Sequence, residues 1–448
     1  INNEALNRVT EFLRSEHFFE PIHQKIYAAI NAIIDKGISA SPTTLKSMLV
    51  NDAQFEQVGG SEYLGRLATI AMTVINVHDY GRIIYDLAMR RSLITIGEEV
   101  VNVAYSSSID QSAAEQIEHA EHQLFSLASE GMNERGFINI RDSIVTSMES
   151  IGHAMKSDDH ITGITTGLAD LDKKLLGFHN SDLLVLAGRP SMGKTALAIN
   201  LALNACRALK NKRKENEPMP SVGFFSLEMS AEQLTTRILS SHASIDSSSL
   251  RSGRVGEEHY NELRKHAIEL SSLPFFIDDT PALSISGIRT RARRMKRKNN
   301  LAILFIDYLQ LVRGSSNSEN RTLEISEITQ GLKALAKELN IPIIALSQLS
   351  RAVEQREDKR PMLSDLRESG AIEQDSDIVM FIYREEYYLT RKEPDAGTPQ
   401  HTEWFEKLNQ VHNLAEVILA KHRNGPIGIV QLFYDASYSR FGNYQQKH

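Results

Sequence analysis

The sequence predicts an all-α N-terminal domain joined by a linker helix to an α/β domain with a mainly parallel sheet. Three observations predict it. The first 130 residues repeat apolar positions at helical spacing, the texture changes near Gly163 to short apolar strands alternating with helices, and a glycine-containing loop lies between one such strand and a helix. A chain of 448 residues also exceeds what one hydrophobic core usually organises, so two domains are expected.

Taken in order, residues 1–130 carry helical stripes at Ile83, Leu87, Met89, Leu93, Ile96 and Val100, and again at Ile117, Ala120, Leu124 and Leu127. Turn-like stretches, Ser39-Ala40-Ser41-Pro42 and Gly59-Gly60-Ser61, separate the helices. No residue pattern there suggests chemistry, so assembly or docking is the expected role. The polar segment from Ser129 to Gly136, with two glycines, marks a linker. Within the linker, residues 131–162, the positions Ile140, Ile144, Met148, Ile151 and Met155 form one stripe of a helix of about four turns. Two readings stay open: the stripe packs on its own domain, or it docks onto a neighbouring subunit.

The third segment, 163–448, holds apolar strands at Leu183–Ala187, Val222–Leu227, Leu301–Ile306, Ile341–Leu346, Ile378–Ile382 and Ala415–Leu419. Continuous apolar runs of this length suit a sheet covered on both faces. Lys210–Pro220 and Gly314–Asn320 read as surface loops.

Composition sets outer limits. The chain is 41% hydrophobic and 24% charged, with no run long enough to cross a bilayer and no signal-peptide pattern, so a soluble cytoplasmic protein is expected. Cys206 is the single cysteine, which excludes an intrachain disulfide and a cysteine-rich zinc site. A net charge of -7 means that any nucleic-acid site must be local, because a whole-surface phosphate binder is usually basic. The first residue is Ile1, inside an apparent helix, so residues upstream are expected to be missing.

The strongest local signal is Gly188-Arg189-Pro190-Ser191-Met192-Gly193-Lys194-Thr195, placed between a strand and a helix. Its glycines let the backbone curl so that N–H groups and the helix N-terminus face phosphates. Lys194 then neutralises the β- and γ-groups, and the Thr195 hydroxyl ligates magnesium. Asp307 ends an apolar strand, where open α/β sheets bind ligands, and is the expected second magnesium contact. Glu228, just past another strand, is placed like a general base, or like a solvated glutamate at a helix start. Gln348, after a further strand, is placed to sense the γ-phosphate or simply to hydrogen-bond its own loop. The basic run Arg289–Lys298 reads as a DNA patch, a solvated face or a subunit contact. His119 and His122 sit one turn apart, with no third metal ligand suggested nearby.

These pieces, in this order, resemble the RecA-like motor domain of the bacterial DnaB family of replicative helicases. The resemblance rests on Thr166-Gly167-Leu168-Ala169-Asp170-Leu171-Asp172, Phe225-Ser226-Leu227-Glu228-Met229-Ser230, and Phe305-Ile306-Asp307-Tyr308-Leu309-Gln310-Leu311. It continues through Asp365-Leu366-Arg367-Glu368-Ser369-Gly370-Ala371-Ile372-Glu373-Gln374-Asp375 and Lys421-His422-Arg423-Asn424-Gly425-Pro426. Phe12-Leu13-Arg14-Ser15-Glu16-His17-Phe18-Phe19 is similar to the family's helical collar.

The resemblance implies a homohexamer that hydrolyses ATP with Mg2+ and moves 5′ to 3′ on single-stranded DNA at the bacterial nucleoid. Primase and a helicase loader are the implied partners. Glu228 becomes the catalytic base, and Arg423 an arginine finger entering the neighbour's ATP site with Lys421 beside it. Gly188, Ser191, Gly193, Lys194 and Thr195 cradle the nucleotide, while Arg367, Glu368 and Gly370 follow the DNA backbone and Ala352–Arg360 forms a mobile loop nearby. The chain departs from the family in His422, where glutamine is common, and in the charged extension Lys210–Pro220. Two rivals fit less well: a RecA-type recombinase lacks such an N-terminal third, and an ATP-dependent loader or clamp would not translocate. A primase fusion would need zinc-binding cysteines absent here.

Overall fold

The computed structural model describes residues 3–50, 52–71, 76–106, 139–155, 161–214, 217–314, 321–366 and 370–444, with scattered positions between 113 and 127. The chain divides into two compact units, 1–148 and 149–448. The expected linker at 129–136 lies outside the described residues.

The first unit is helical. Helices at Pro21–Asp35, Pro42–Leu49, Ala53–Gln57 and Gly60–Ala71 enclose a small core of Ile22, Ile26, Ile33, Leu45, Phe55 and Leu64. Proline at a first helical position supplies a preset φ where the missing N–H costs nothing, and Ser41, just before Pro42, accepts from the Thr44 N–H. A second cluster, Val9, Leu13 and Tyr27, packs beneath the helix Val77–Tyr105. Gly81 lets that helix approach closely, because a Cβ there would meet Val9 Cγ1 at 2.9 Å.

The stripe expected at Ile83 to Val100 does form one helix of 29 residues. Yet Ile83, Leu87, Leu93 and Val100 are exposed, so the described residues do not cover it. The helix Ile140–Met155 is likewise present, and Ile140, Ile144, Met148, Ile151 and Met155 are each more than half exposed.

The second unit is built on one nine-stranded sheet: β1 (Leu183–Gly188), β2 (Ser221–Ser226), β3 (Phe275–Asp278), β4 (Leu301–Asp307), β5 (Ile343–Gln348), β6 (Ile378–Tyr383), β7 (Leu414–His422), β8 (Gly428–Asp435) and β9 (Arg440–Asn443). The order is β3-β2-β4-β5-β1-β6-β7-β8-β9. Strands β3 to β6 in that order pair in parallel, and β7, β8 and β9 continue it antiparallel. All six strands expected from sequence are there; β3, β8 and β9 are additional.

Both faces are covered, as the unbroken apolar runs require. Leu184 and Leu186 of β1 point to the layer containing Leu197, Leu201 and Ala205 of the helix Lys194–Lys212. Leu183, Val185 and Ala187 point to the opposite layer, with Ile288 and Ala292 of the helix Ile285–Asn299 and Ile328 and Leu332 of the helix Arg321–Leu339. Among the described residues, no helix is long and apolar enough to cross a membrane.

Candidate nucleotide site and the opposite edge of the sheet

The loop expected to bind phosphate leaves the C-terminal end of β1 and turns into the helix Lys194–Lys212. Its backbone demands the residues found there. Ser191 and Gly193 both have positive φ, 67° and 98°, a region open to glycine at little cost. A Cβ on Gly193 would stand 3.1 Å from the Phe441 ring, and one on Gly188 would stand 2.5 Å from Ile382 Cγ2. The loop is thus seated against β6 and β9, and glycine is the residue that fits.

Lys194 is buried and donates to the Ser347 carbonyl at 3.1 Å. Burial pushes its ammonium down to about 8, while the neighbouring Asp307 and Glu228 carboxylates hold it up. Such a lysine gains a strong reason to bind a polyanion.

The Thr195 hydroxyl donates to Asp307 Oδ2 at 2.7 Å, which brings together the two residues expected to ligate magnesium. Asp307 is 2% exposed, and its Oδ1 has no hydrogen-bond partner among the described residues. Burial raises this carboxyl above the usual range, against the opposing pull of the Thr195 hydrogen bond and Lys194. A buried carboxylate oxygen without a partner is costly. Beside a threonine hydroxyl it fits a hard, oxygen-seeking divalent cation.

Strand order brings the remaining residues to the same edge. Ser226 of β2 lies in register with Asp307 of β4, and the Leu227 N–H donates to the Asp307 carbonyl at 2.8 Å. Glu228, the next residue, is exposed and lines one cavity of about 460 Å3 with Thr195. Gln348 of β5 pairs with Gly188 of β1, so it stands at the root of the phosphate loop.

Sequence reasoning gave no role to Gln310 or Arg189. Gln310 Oε1 accepts from the Gln348 N–H at 3.2 Å, and its Nε2 donates to Ser347 Oγ at 3.0 Å. Arg189, inside the loop, bonds the Leu349 carbonyl at 3.0 Å and Glu354 at 2.9 Å. The signal for Arg189 was its place in the motif; nothing local pointed to Glu354.

Arg423 lies at the other end of the strands. Its N–H donates to the Asp377 carbonyl, and the Asp377 N–H donates in turn to the Leu183 carbonyl, each at 2.9 Å. Leu183 begins β1 and Gly188 ends it, so Arg423 is separated from its own phosphate loop by about 16 Å of strand, at ~3.3 Å per residue. The Arg423 side chain is 70% exposed, held loosely to Asp377 at 3.7 Å. Lys421 differs: its ammonium caps the helix Gly370–Asp375, donating to the carbonyls of Glu373 at 2.5 Å and Ser376 at 2.7 Å. Gly425 packs against the His422 imidazole, where a Cβ would clash at 2.2 Å.

Arg367 and Glu368, expected to follow DNA, lie outside the described residues. Gly370 opens the helix Gly370–Asp375, and among the described residues a Cβ there would meet nothing within 4 Å, so packing against them does not require glycine. The tract Ala352–Arg360, expected to be mobile, is anchored instead. Val353 is fully buried, Arg356 pairs with Asp365 at 2.7 Å, and Arg360 makes two 2.9 Å bonds to Glu416.

The basic helix Ile285–Asn299 is committed in part, while Arg294, Arg297 and Lys298 stay exposed. Arg291 bonds Asp278 at 2.7 Å, Arg293 bonds Glu338 at 2.6 Å, and Lys296 bonds the Leu301 carbonyl at 2.9 Å. These three charges serve packing of the layer. His119 is described but His122 is not. A different trio, His242, His266 and Glu269, comes close enough to share a cation, but the Arg207 guanidinium lies 2.8 Å from His242 Nε2 and opposes one.

The profile of the DnaB-like helicase C terminal domain matches residues 163–443, and that of the N terminal domain matches residues 1–86. The chain belongs to the DnaB-like helicase family. It is 69% identical over 447 residues to the replicative DNA helicase DnaB of Rickettsia conorii, covering 100% of this chain and 90% of that one. Against the Geobacillus stearothermophilus protein of the same name, identity is 40% over 444 residues, covering 99% and 91%. A solved DnaB-like replicative helicase, described with its interactions with primase, superposes with a TM-score of 0.73 at 32% identity, covering 99% of this chain and 97% of that one. A second solved structure, an isolated ATPase domain, superposes at 0.59 with 38% identity, covering 69% of this chain and 100% of its own. Family membership accounts for the helical unit and the nucleotide site together; a recombinase accounts only for the second.

Proposed function

We propose that this chain is the ATP-hydrolysing motor subunit of a replicative DNA helicase, acting as a homohexamer that moves 5′ to 3′ on single-stranded DNA. The observation that carries the reading is the position of Arg423. A guanidinium exposed at the edge of the sheet remote from its own phosphate loop is useless to that site and free to serve another copy's. Supplying transition-state charge from a second subunit ties hydrolysis to movement between subunits.

Within one subunit, Lys194 neutralises the β- and γ-phosphates, and the amides of the loop from Gly188 through Ser191 and Gly193 cradle them. Thr195 and Asp307 would hold Mg2+, which when bound draws charge from the phosphate oxygens. Glu228 orients and deprotonates the attacking water. Gln348, hydrogen-bonded through its backbone beside Gly188, registers the γ-phosphate. Lys421 keeps the strand carrying Arg423 in place through the helix that follows the proposed DNA loop of Arg367, Glu368 and Gly370. Three segments follow: a collar at 1–130, a linker at 131–162 and the motor at 163–448. The exposed stripe of Ile140–Met155 supports docking of that helix on a neighbour, and primase and a loader are the proposed partners of the collar and linker.

The test is ATP turnover with and without single-stranded DNA. The wild-type chain should be stimulated by DNA and Lys194→Ala should be inactive. An equimolar mixture of Glu228→Ala and Arg423→Ala should regain part of the activity that each lacks. No stimulation and no rescue on mixing would leave a nucleotide-binding assembly protein instead.

A further inference from the structure

The cavity that holds Thr195 and Glu228 does not end at them. It is lined as well by Glu232 and Arg237 of the helix Ala231–Ala243 and by Ser247 and Arg251 of the helix Ser247–Ser252. Neither Arg237 nor Arg251 has a carboxylate or hydrogen-bond partner among the described residues.

The corner that presents both arginines is well held. Ser240 Oγ donates to the Ile245 carbonyl at 2.6 Å, Asp246 accepts from the Ser248 and Ser249 N–H groups at 2.9 Å, and the second helix stops at Gly253 with φ 69°. Two unpaired guanidiniums and a serine hydroxyl in one cavity make a receptor for a tetrahedral oxyanion, since guanidinium forks match phosphate oxygens. The same cavity carries Glu228, the residue assigned to water activation.

We propose that Arg237 and Arg251 form a product subsite that takes up inorganic phosphate after hydrolysis. The inference rests on the assignment of Thr195 and Glu228 to the nucleotide site. As the water oxygen bonds to the γ-phosphorus and the bond to the β-phosphate oxygen breaks, the free phosphate is left with roughly one and a half negative charges near neutral pH. The Glu228 carboxylate in the same cavity repels it, and the positive charge of Arg237 and Arg251 offsets that repulsion.

Inhibition of DNA-stimulated ATP turnover by added inorganic phosphate tests this, with chloride keeping ionic strength constant. Arg251→Ala should need roughly three- to tenfold more phosphate for half-inhibition, the loss expected for one exposed charge-assisted contact. The KM for ATP and the affinity for single-stranded DNA should not change, and Arg251→Lys should recover most of the inhibition. Unchanged phosphate inhibition in both Arg251→Ala and Arg237→Gln overturns the proposal. So does a KM for ATP that rises in step with the inhibition constant, or a fall in DNA affinity alone, which would make the arginines nucleotide or DNA contacts. Glu228→Gln separates the two assignments: if it turns over ATP normally, the nucleotide-site reading itself has failed; if it is inactive, failure of the Arg251 arm counts against the product subsite alone.

Discussion

The two units bury their apolar residues in opposite ways. In the second, β1, β2 and β6 are buried along their whole length, and the layers on either side are closed by helices of the same chain. In the first, the 29-residue helix Val77–Tyr105 buries only Gly81 and Ala88, while Ile83, Leu87, Leu93, Ile94, Val100 and Val101 stay between 41% and 60% exposed. An apolar stripe of that extent on a water-facing helix marks an interaction surface. The second unit is stabilised from within its own chain, whereas the long helix of the first carries an apolar stripe that the described residues leave exposed.

That contrast can be broken by truncating each region. Phe305 is fully buried and stacks on Phe224 at 5.9 Å, so Phe305→Ala should cost about 3–5 kcal/mol in denaturant unfolding. The double variant Leu93→Ser with Ile94→Ser should shift unfolding of the dilute subunit by less than about 0.5 kcal/mol yet lower the hexamer fraction in sedimentation. An equally large unfolding loss there would mean that the helix is a core element.

A second contrast uses the single cysteine. Cys206 is fully buried and its thiol is pushed up to about 12 by burial, so it should alkylate only as fast as the second unit opens, with Phe305→Ala accelerating it and the Leu93/Ile94 variant leaving it unchanged. The cap of the first unit sets a smaller scale. Ser41→Ala removes the acceptor of the Thr44 N–H and should cost about 1 kcal/mol, confined to the first unit's transition.

The smallest expected signal is a proton. Burial lowers Lys194 from its ordinary 10.5 to about 8. Between those values the folded chain without nucleotide binds fewer protons than the unfolded one, so this group makes stability rise with pH across that window. A bound polyanion restores the charge. Calorimetry in buffers of different ionisation enthalpy should record uptake of about half a proton on ADP binding at pH 8 and almost none at pH 6.5. Lys194→Met should abolish the difference.

Legibility followed the range of the interaction. The central strands could be read because a strand covered on both faces is a continuous apolar run, as in Leu183–Ala187 and Ile378–Ile382. The strand β3 could not, being four residues long and only partly buried. The strand β8 alternates, with Val430, Leu432 and Tyr434 inward, and a period of two was there to be found. The anchoring of Ala352–Arg360 was hidden because its partners Asp365 and Glu416 are ordinary carboxylates until the fold places them.

By itself the sequence determined the local chemistry: a loop whose glycines, lysine and threonine suit phosphate, an aspartate ending a strand, and helices with an apolar stripe to cover. Those follow from φ preferences, side-chain donors and periodicity, which are properties of neighbours in the chain. Only the tertiary structure decided that β2, β4, β5 and β1 stand side by side, so that Glu228, Asp307 and Gln348 reach one edge. It alone decided that β7 returns antiparallel and leaves Arg423 at the other. Strand order and direction are set by pairing across long crossovers, and no stretch of sequence contains both partners of such a pair.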